Sequence, residues 1–146
     1  MDNETFEELK KDFSWVKDDE RILAVLLFGS KVSENDHFKS DVDIAIVVPG
    51  SSNFYYDCEG VSDEKVDSSK VLGKVFREVN TASKDYDVHV FEELPLHVQI
   101  DIINEHQVVY TSDKYAMYEY FYNYRQLWKD QKYRNMMSKE EIISTL

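Results

Sequence analysis

The sequence holds one cysteine, Cys58, so it can form neither an internal disulfide nor a Cys-rich zinc cage. It holds no apolar stretch long enough for a signal peptide or a membrane span, and the expected location is therefore cytoplasmic. Basic residues are scarce: 17 Lys and Arg stand against 29 Asp and Glu, a formal charge of −12. Contact with a phosphate backbone needs clustered cations, so this balance argues against a general nucleic-acid binder. It suits a neutral or basic protein partner, or a small phosphorylated ligand held through metal, unless the charge serves solubility alone. His37, His89, His97 and His106 are scattered, without the helical pair four residues apart that marks many zinc sites. Repeats and low-complexity segments are also missing.

What is present is enough for a packed core. The chain is 42% hydrophobic and 14% aromatic, too rich in such residues for a disordered tail. Its 146 residues fit a single domain, 1–146, able to bury roughly 68–70% of the surface of the unfolded chain. Phe6, Leu9, Phe13 and Val16 recur at helical spacing and predict a one-faced helix over residues 3–17. Ile22 to Phe28 is a continuous apolar run ending at Gly29-Ser30, the pattern of a central strand buried on both faces. Asp41 to Val48 predicts a second strand, closed by a turn at Pro49-Gly50. A long loop over 51–62 precedes a helix over 63–80 with Val66, Val71, Leu72, Val75, Phe76 and Val79 as its apolar side.

Asp87 to Phe91 alternates as a third strand, Pro95 opens a short helix from Leu96 to Asn104, and Val108 to Tyr110 is a brief last strand. Asp113 is a candidate N-cap for a long Tyr-rich C-terminal helix. In that helix Tyr118, Phe121, Tyr122 and Trp128 are expected on the sheet, and the aromatic surplus, if it does not lean on loops, is a partner surface. The order predicts an α/β (α+β) domain, a small mixed sheet flanked by helices. Fold class carries no chemistry by itself.

The chemistry lies between the first two strands. A buried strand ends in Gly29-Ser30, Lys31 to Ser40 intervene, and the next strand begins Asp41-Val42-Asp43. Residues two apart on a strand share a face about 6.5–7 Å apart, so Asp41 and Asp43 are neighbours that a divalent cation would relieve. Oxygen ligands of this kind suit magnesium, which completes its octahedron with water and substrate phosphates. The Gly-Ser turn supplies N–H groups and a hydroxyl for phosphate oxygens. Together the two halves predict a metal-bridged triphosphate.

The run LLFGSKVSENDHFKSDVDIAIVV resembles the nucleotidyltransferases of the polymerase-β superfamily, specifically the minimal group called MNT, marked by Gly-Ser, about ten residues, then Asp-x-Asp. The stretch YDVHVFEELPLHVQIDIINEHQVVYTSD, from Tyr86 to Asp113, is similar to the later segment of the same family, and the resemblance covers most of residues 20–136. It implies the polymerase-β-like palm fold, with Asp41, Asp43 and Asp87 as catalytic metal ligands for Mg2+, and Gly29, Ser30 and Lys31 on the nucleotide. Asp101 and Asp85 are the rival acids for the third place. His89 shares the strand face of Asp87, either simply exposed or close to the substrate. Ser33 and Glu34 stand where an Arg-Gly pair is often found, so one triphosphate-binding cation is missing.

The resemblance further implies transfer of a nucleoside monophosphate, AMP from ATP, to a protein hydroxyl. It points to an antitoxin that adenylylates and neutralises a HEPN-family ribonuclease toxin. Two alternatives stand beside it: a catalytically weak antitoxin that neutralises by binding alone, which the missing Arg-Gly favours, and a small-molecule nucleotidyltransferase.

Overall fold

The computed structural model describes residues 3–29, 42–52, 65–79 and 85–145. Among the described residues four strands and four α-helices follow one another as α1 (Asn3–Asp12), β1 (Ala24–Phe28), β2 (Val42–Val47), α2 (Ser68–Glu78), β3 (Tyr86–Val90), α3 (Leu96–Asn104), β4 (Gln107–Thr111) and α4 (Lys114–Thr145). The sheet order is β3-β2-β1-β4. β1 pairs antiparallel with both neighbours, whereas β2 and β3 run parallel, so the sheet is mixed and its two apolar runs form its centre. Such a sheet needs cover on both faces, and the alternation of side chains divides the core in two.

On one face Val25, Leu27, Ile44, Ile46, Val88 and Val90 pack under α1 and α2. On the other, Ala24, Leu26, Ala45, Val47 and Phe91 pack under α3 and α4. Leu26 and Leu27 are both fully buried, on opposite faces. Each such side chain contributes roughly 1.5–3 kcal/mol by leaving water, so the same short strand anchors both layers.

The predicted first helix is shorter than expected. α1 ends at Asp12, and Ser14–Asp18 forms a 3-10 turn closed by Val16 N–H donating to the Phe13 carbonyl at 3.1 Å. The tighter turn lets Phe13 and Val16 both stay in the core. α2 likewise starts at Ser68, where Asp67 caps it by accepting from Ser69 N–H at 3.0 Å. Phe76, predicted on its apolar side, is instead exposed, while Val71 and Val75 are buried. Asp113 does cap α4, accepting from Ala116 N–H at 3.1 Å.

The C-terminal helix departs most from expectation. Among its described side chains Met117, Tyr120, Phe121 and Tyr124 are buried, whereas Tyr115, Tyr118 and Tyr122 are exposed. The expected burial of Tyr118 and Tyr122 fails because the burial spacing 117, 120, 121, 124 leaves them on the outer face. The inner tyrosines keep hydrogen bonds: Tyr120 donates to Glu92 Oε2 at 2.5 Å, and the Tyr120 and Tyr124 hydroxyls lie 2.8 Å apart. Val48 N–H donates to Glu92 Oε1 at 2.9 Å, so one carboxyl group ties α4 to the end of β2. Burial pushes that carboxyl up to about 7, against the hydrogen bonds from Tyr120 and Val48 that lower it.

Candidate functional site

The opposite end of the same strands carries the polar residues. Phe28, last in β1, stands directly across from Asp43 in β2, and Asp43 in turn lies beside Asp87 in the parallel register with β3. Asp43, Ala45 and Val47 alternate onto the face covered by α3 and α4, and so do Asp87, His89 and Phe91. Packing of Ala45, Val47 and Phe91 therefore fixes which way both carboxylates and the imidazole point. They emerge where the helical cover gives out.

Asp43 is half-buried, Asp87 is half-exposed at 50%, and His89 Nε2 lies 3.1 Å from Asp87 Oδ2. One ligand atom each from Asp43, Asp87 and His89 fall within 4.8 Å of one another. Two carboxylates that close repel by roughly 1–3 kcal/mol, between the limits for water and for a protein surface. A divalent cation would turn that repulsion into attraction, and two oxygen donors with a nitrogen donor form an acceptable set for one. The residues present thus fit a divalent metal centre.

Gly29 completes the described part of the site. Its φ of +82° is the left-handed conformation that side chains disfavour. A Cβ placed there would fall on Asp43 Oδ2 and stand 3.2 Å from Asp43 Cγ. The backbone after β1 therefore runs hard against the carboxylate, and only glycine allows it. Asp85, the residue before β3, also has a positive φ of 56°, and its carbonyl accepts from Val42 N–H at 2.9 Å, which pins the entry of β2 to that of β3.

Of the residues expected at the site, Gly29, Asp43 and Asp87 come together. Asp41, Ser30 and Lys31 lie outside the described residues. Asp101 is exposed on α3 and is not a member of the cluster, and Asp85 belongs to the turn. The residue that sequence reasoning left open is His89; its signal was the Asp-x-His spacing, which on a strand puts both side chains on one face. Among the described residues, no helix is long and apolar enough to cross a membrane.

Comparisons with known proteins agree with this architecture. The model of the family described as polymerase beta, nucleotidyltransferase, matches residues 10–115. A candidate protein adenylyltransferase of Methanocaldococcus jannaschii is 28% identical over 114 residues, covering 78% of this chain and 75% of that protein. Among solved structures, a toxin–antitoxin crystal structure with AMP-PNP aligns with a TM-score of 0.62 at 11% identity, over 92% of this chain and 98% of the other. A chain from the complex of tri-AMPylated Shewanella oneidensis HEPN toxin with MNT antitoxin aligns with a TM-score of 0.59 at 10% identity, over 98% and 99%. At such identities these structures speak for the fold alone.

Proposed function

The chain belongs to the polymerase-β nucleotidyltransferase family, and from that premise we propose that it is an antitoxin enzyme that transfers AMP from ATP to a hydroxyl group of a HEPN-family ribonuclease toxin. The observation that carries the reading is the convergence of Asp43 and Asp87 from adjacent parallel strands at the edge of the glycine turn. The likeness to a protein adenylyltransferase and to toxin–antitoxin structures supports the choice of acceptor.

In this reading Asp41, Asp43 and Asp87 would hold a divalent metal ion. Such an ion, when bound, would supply charge stabilisation for the phosphoryl oxygens. Gly29, Ser30 and Lys31 position the triphosphate, the first by giving its backbone close approach and the others by their donors. Asp87, exposed at the rim, accepts the proton of the incoming hydroxyl. The bond from acceptor oxygen to α-phosphorus forms, the bond from α-phosphorus to the bridging oxygen breaks, and pyrophosphate leaves.

The test is direct. The protein incubated with ATP, magnesium and the co-purifying or genetically adjacent HEPN toxin should add one or more AMP masses to the toxin, and the toxin should stay inactive after separation. An inhibited toxin of unchanged mass, with Asp43→Ala still protective, would replace enzymatic neutralisation by neutralisation through contact.

A further inference from the structure

The third member of the cluster is not a carboxylate. His89 sits on β3 two residues beyond Asp87, pairs in register with the small Ala45, and has its ring 6.3 Å from that of Phe28. The imidazole is 38% exposed, so a ligand from solution can reach it. Nε2 and Asp87 Oδ2 are 3.1 Å apart. Two adjacent corners of an octahedron with bonds of ~2.1 Å lie about 3.0 Å apart. The separation found is close to that edge, so the pair could serve as adjacent ligands.

We propose that His89 is itself a ligand of the divalent centre formed with Asp43 and Asp87, and that its nitrogen makes the site take Mn2+ in preference to Mg2+. The inference rests on the metal-centre reading of the carboxylates and adds to it the identity of the ion. Magnesium is a hard ion that prefers oxygen and gives little for replacing a water by imidazole. Manganese accepts the same octahedron and the same carboxylates, and as a first-row transition ion it gains from a nitrogen donor. The 3.1 Å approach of Nε2 to Asp87 Oδ2 keeps the ring at the cluster, and metal binding would replace that contact by coordination.

The test uses the full chain, stripped of metal by chelator, with Mn2+ or Mg2+ as the only added ligand. Pulsed electron paramagnetic resonance of the Mn2+-bound wild-type protein should show the modulation of a directly bound 14N nucleus, and His89→Gln should lose it. Calorimetric titration of the same variant should weaken Mn2+ by about tenfold or more while Mg2+ moves less than twofold. A wild-type signal without nitrogen overturns the inference, and so does equal loss of both ions, which would make His89 a positioning residue for Asp87. The wild-type spectrum needs no variant to fold. Undiminished binding of both ions by Asp43→Asn would instead refute the metal-centre reading underneath.

Discussion

Replacing Gly29 by alanine perturbs the site through one methyl group. The substitution forces an L side chain into φ +82°, which costs about 1–2 kcal/mol, and drives its Cβ onto Asp43 Oδ2. The carboxylate must swing aside, because the backbone behind it is locked by the Phe28 and Asp87 register pairs. For a chain of this size ~1–2 kcal/mol lowers the melting temperature by about 3–8 °C, so Gly29→Ala folds. Its metal response should not survive as well. A carboxylate turned out of line removes one ligand, and affinity for Mn2+ or Mg2+ should fall by about tenfold or more, approaching that of Asp43→Asn. Thermal unfolding gives the first quantity, and calorimetric titration of the metal-free protein gives the second. A folded Gly29→Ala that binds divalent ion as tightly as wild type would show that the close approach of Gly29 to Asp43 has no bearing on the site.

Three further outcomes follow from other features. Asp87→Asn should abolish nucleotide transfer while Asp101→Asn, exposed on α3 outside the cluster, leaves it within twofold, measured as AMP incorporated into toxin. Gly73→Ala in the interior of α2 meets nothing closer than Arg77 Nη1 at 3.9 Å and should raise stability by about 0.5–1 kcal/mol in a denaturant titration; destabilisation would mean that the helix is strained there. Glu92 holds its proton more tightly folded than unfolded, since burial lifts its carboxyl from 4.5 to about 7. The stability it contributes is therefore full below about pH 4.5 and is lost as pH rises through about 7, by roughly 3 kcal/mol at most. Unfolding free energies at pH 5 and pH 8 should differ less in Glu92→Gln than in wild type, and equal slopes would refute the assignment.

The parts legible in the sequence were those where one local rule decided the outcome. Most of the run from Ile22 to Phe28 became a central strand, Ala24–Phe28, because a continuous apolar run suits a strand buried on both faces. Leu96–Asn104 and the Asp113 cap fell where Pro95 and the cap chemistry put them. Gly29 and Asp43 were singled out by the strand-turn-strand pattern, Asp87 by the family resemblance, and the sheet register then sets Asp43 beside Asp87.

What escaped depended on neighbours distant in sequence. The first helix stops at Asp12 because Phe13 packs against Trp15 and Tyr86, the latter 73 positions away by number (86 − 13). The inner face of α4 was misjudged because hydrophobicity ranks all its tyrosines alike. The actual choice was set by polar partners for Tyr120 and Tyr124 in Glu92 and Ser52. The contact of His89 with Asp87 needed the actual ring orientation, which spacing permits but does not specify.

The register between β2 and its neighbours has a consequence for how such a protein can fail. Asp43 and Ala45 alternate with Ile44 and Ile46, which are fully buried on the opposite face. A slip of one residue would carry every side chain of β2 to the wrong side, placing Asp43 under α1 and α2 and two isoleucines under α3 and α4. No form of the chain can keep a sound core while holding Asp43 out of place by such a slip. Loss of the site through misregister and loss of the folded protein are then a single event, and the cell's machinery for clearing unfolded chains also screens out inactive copies of that kind.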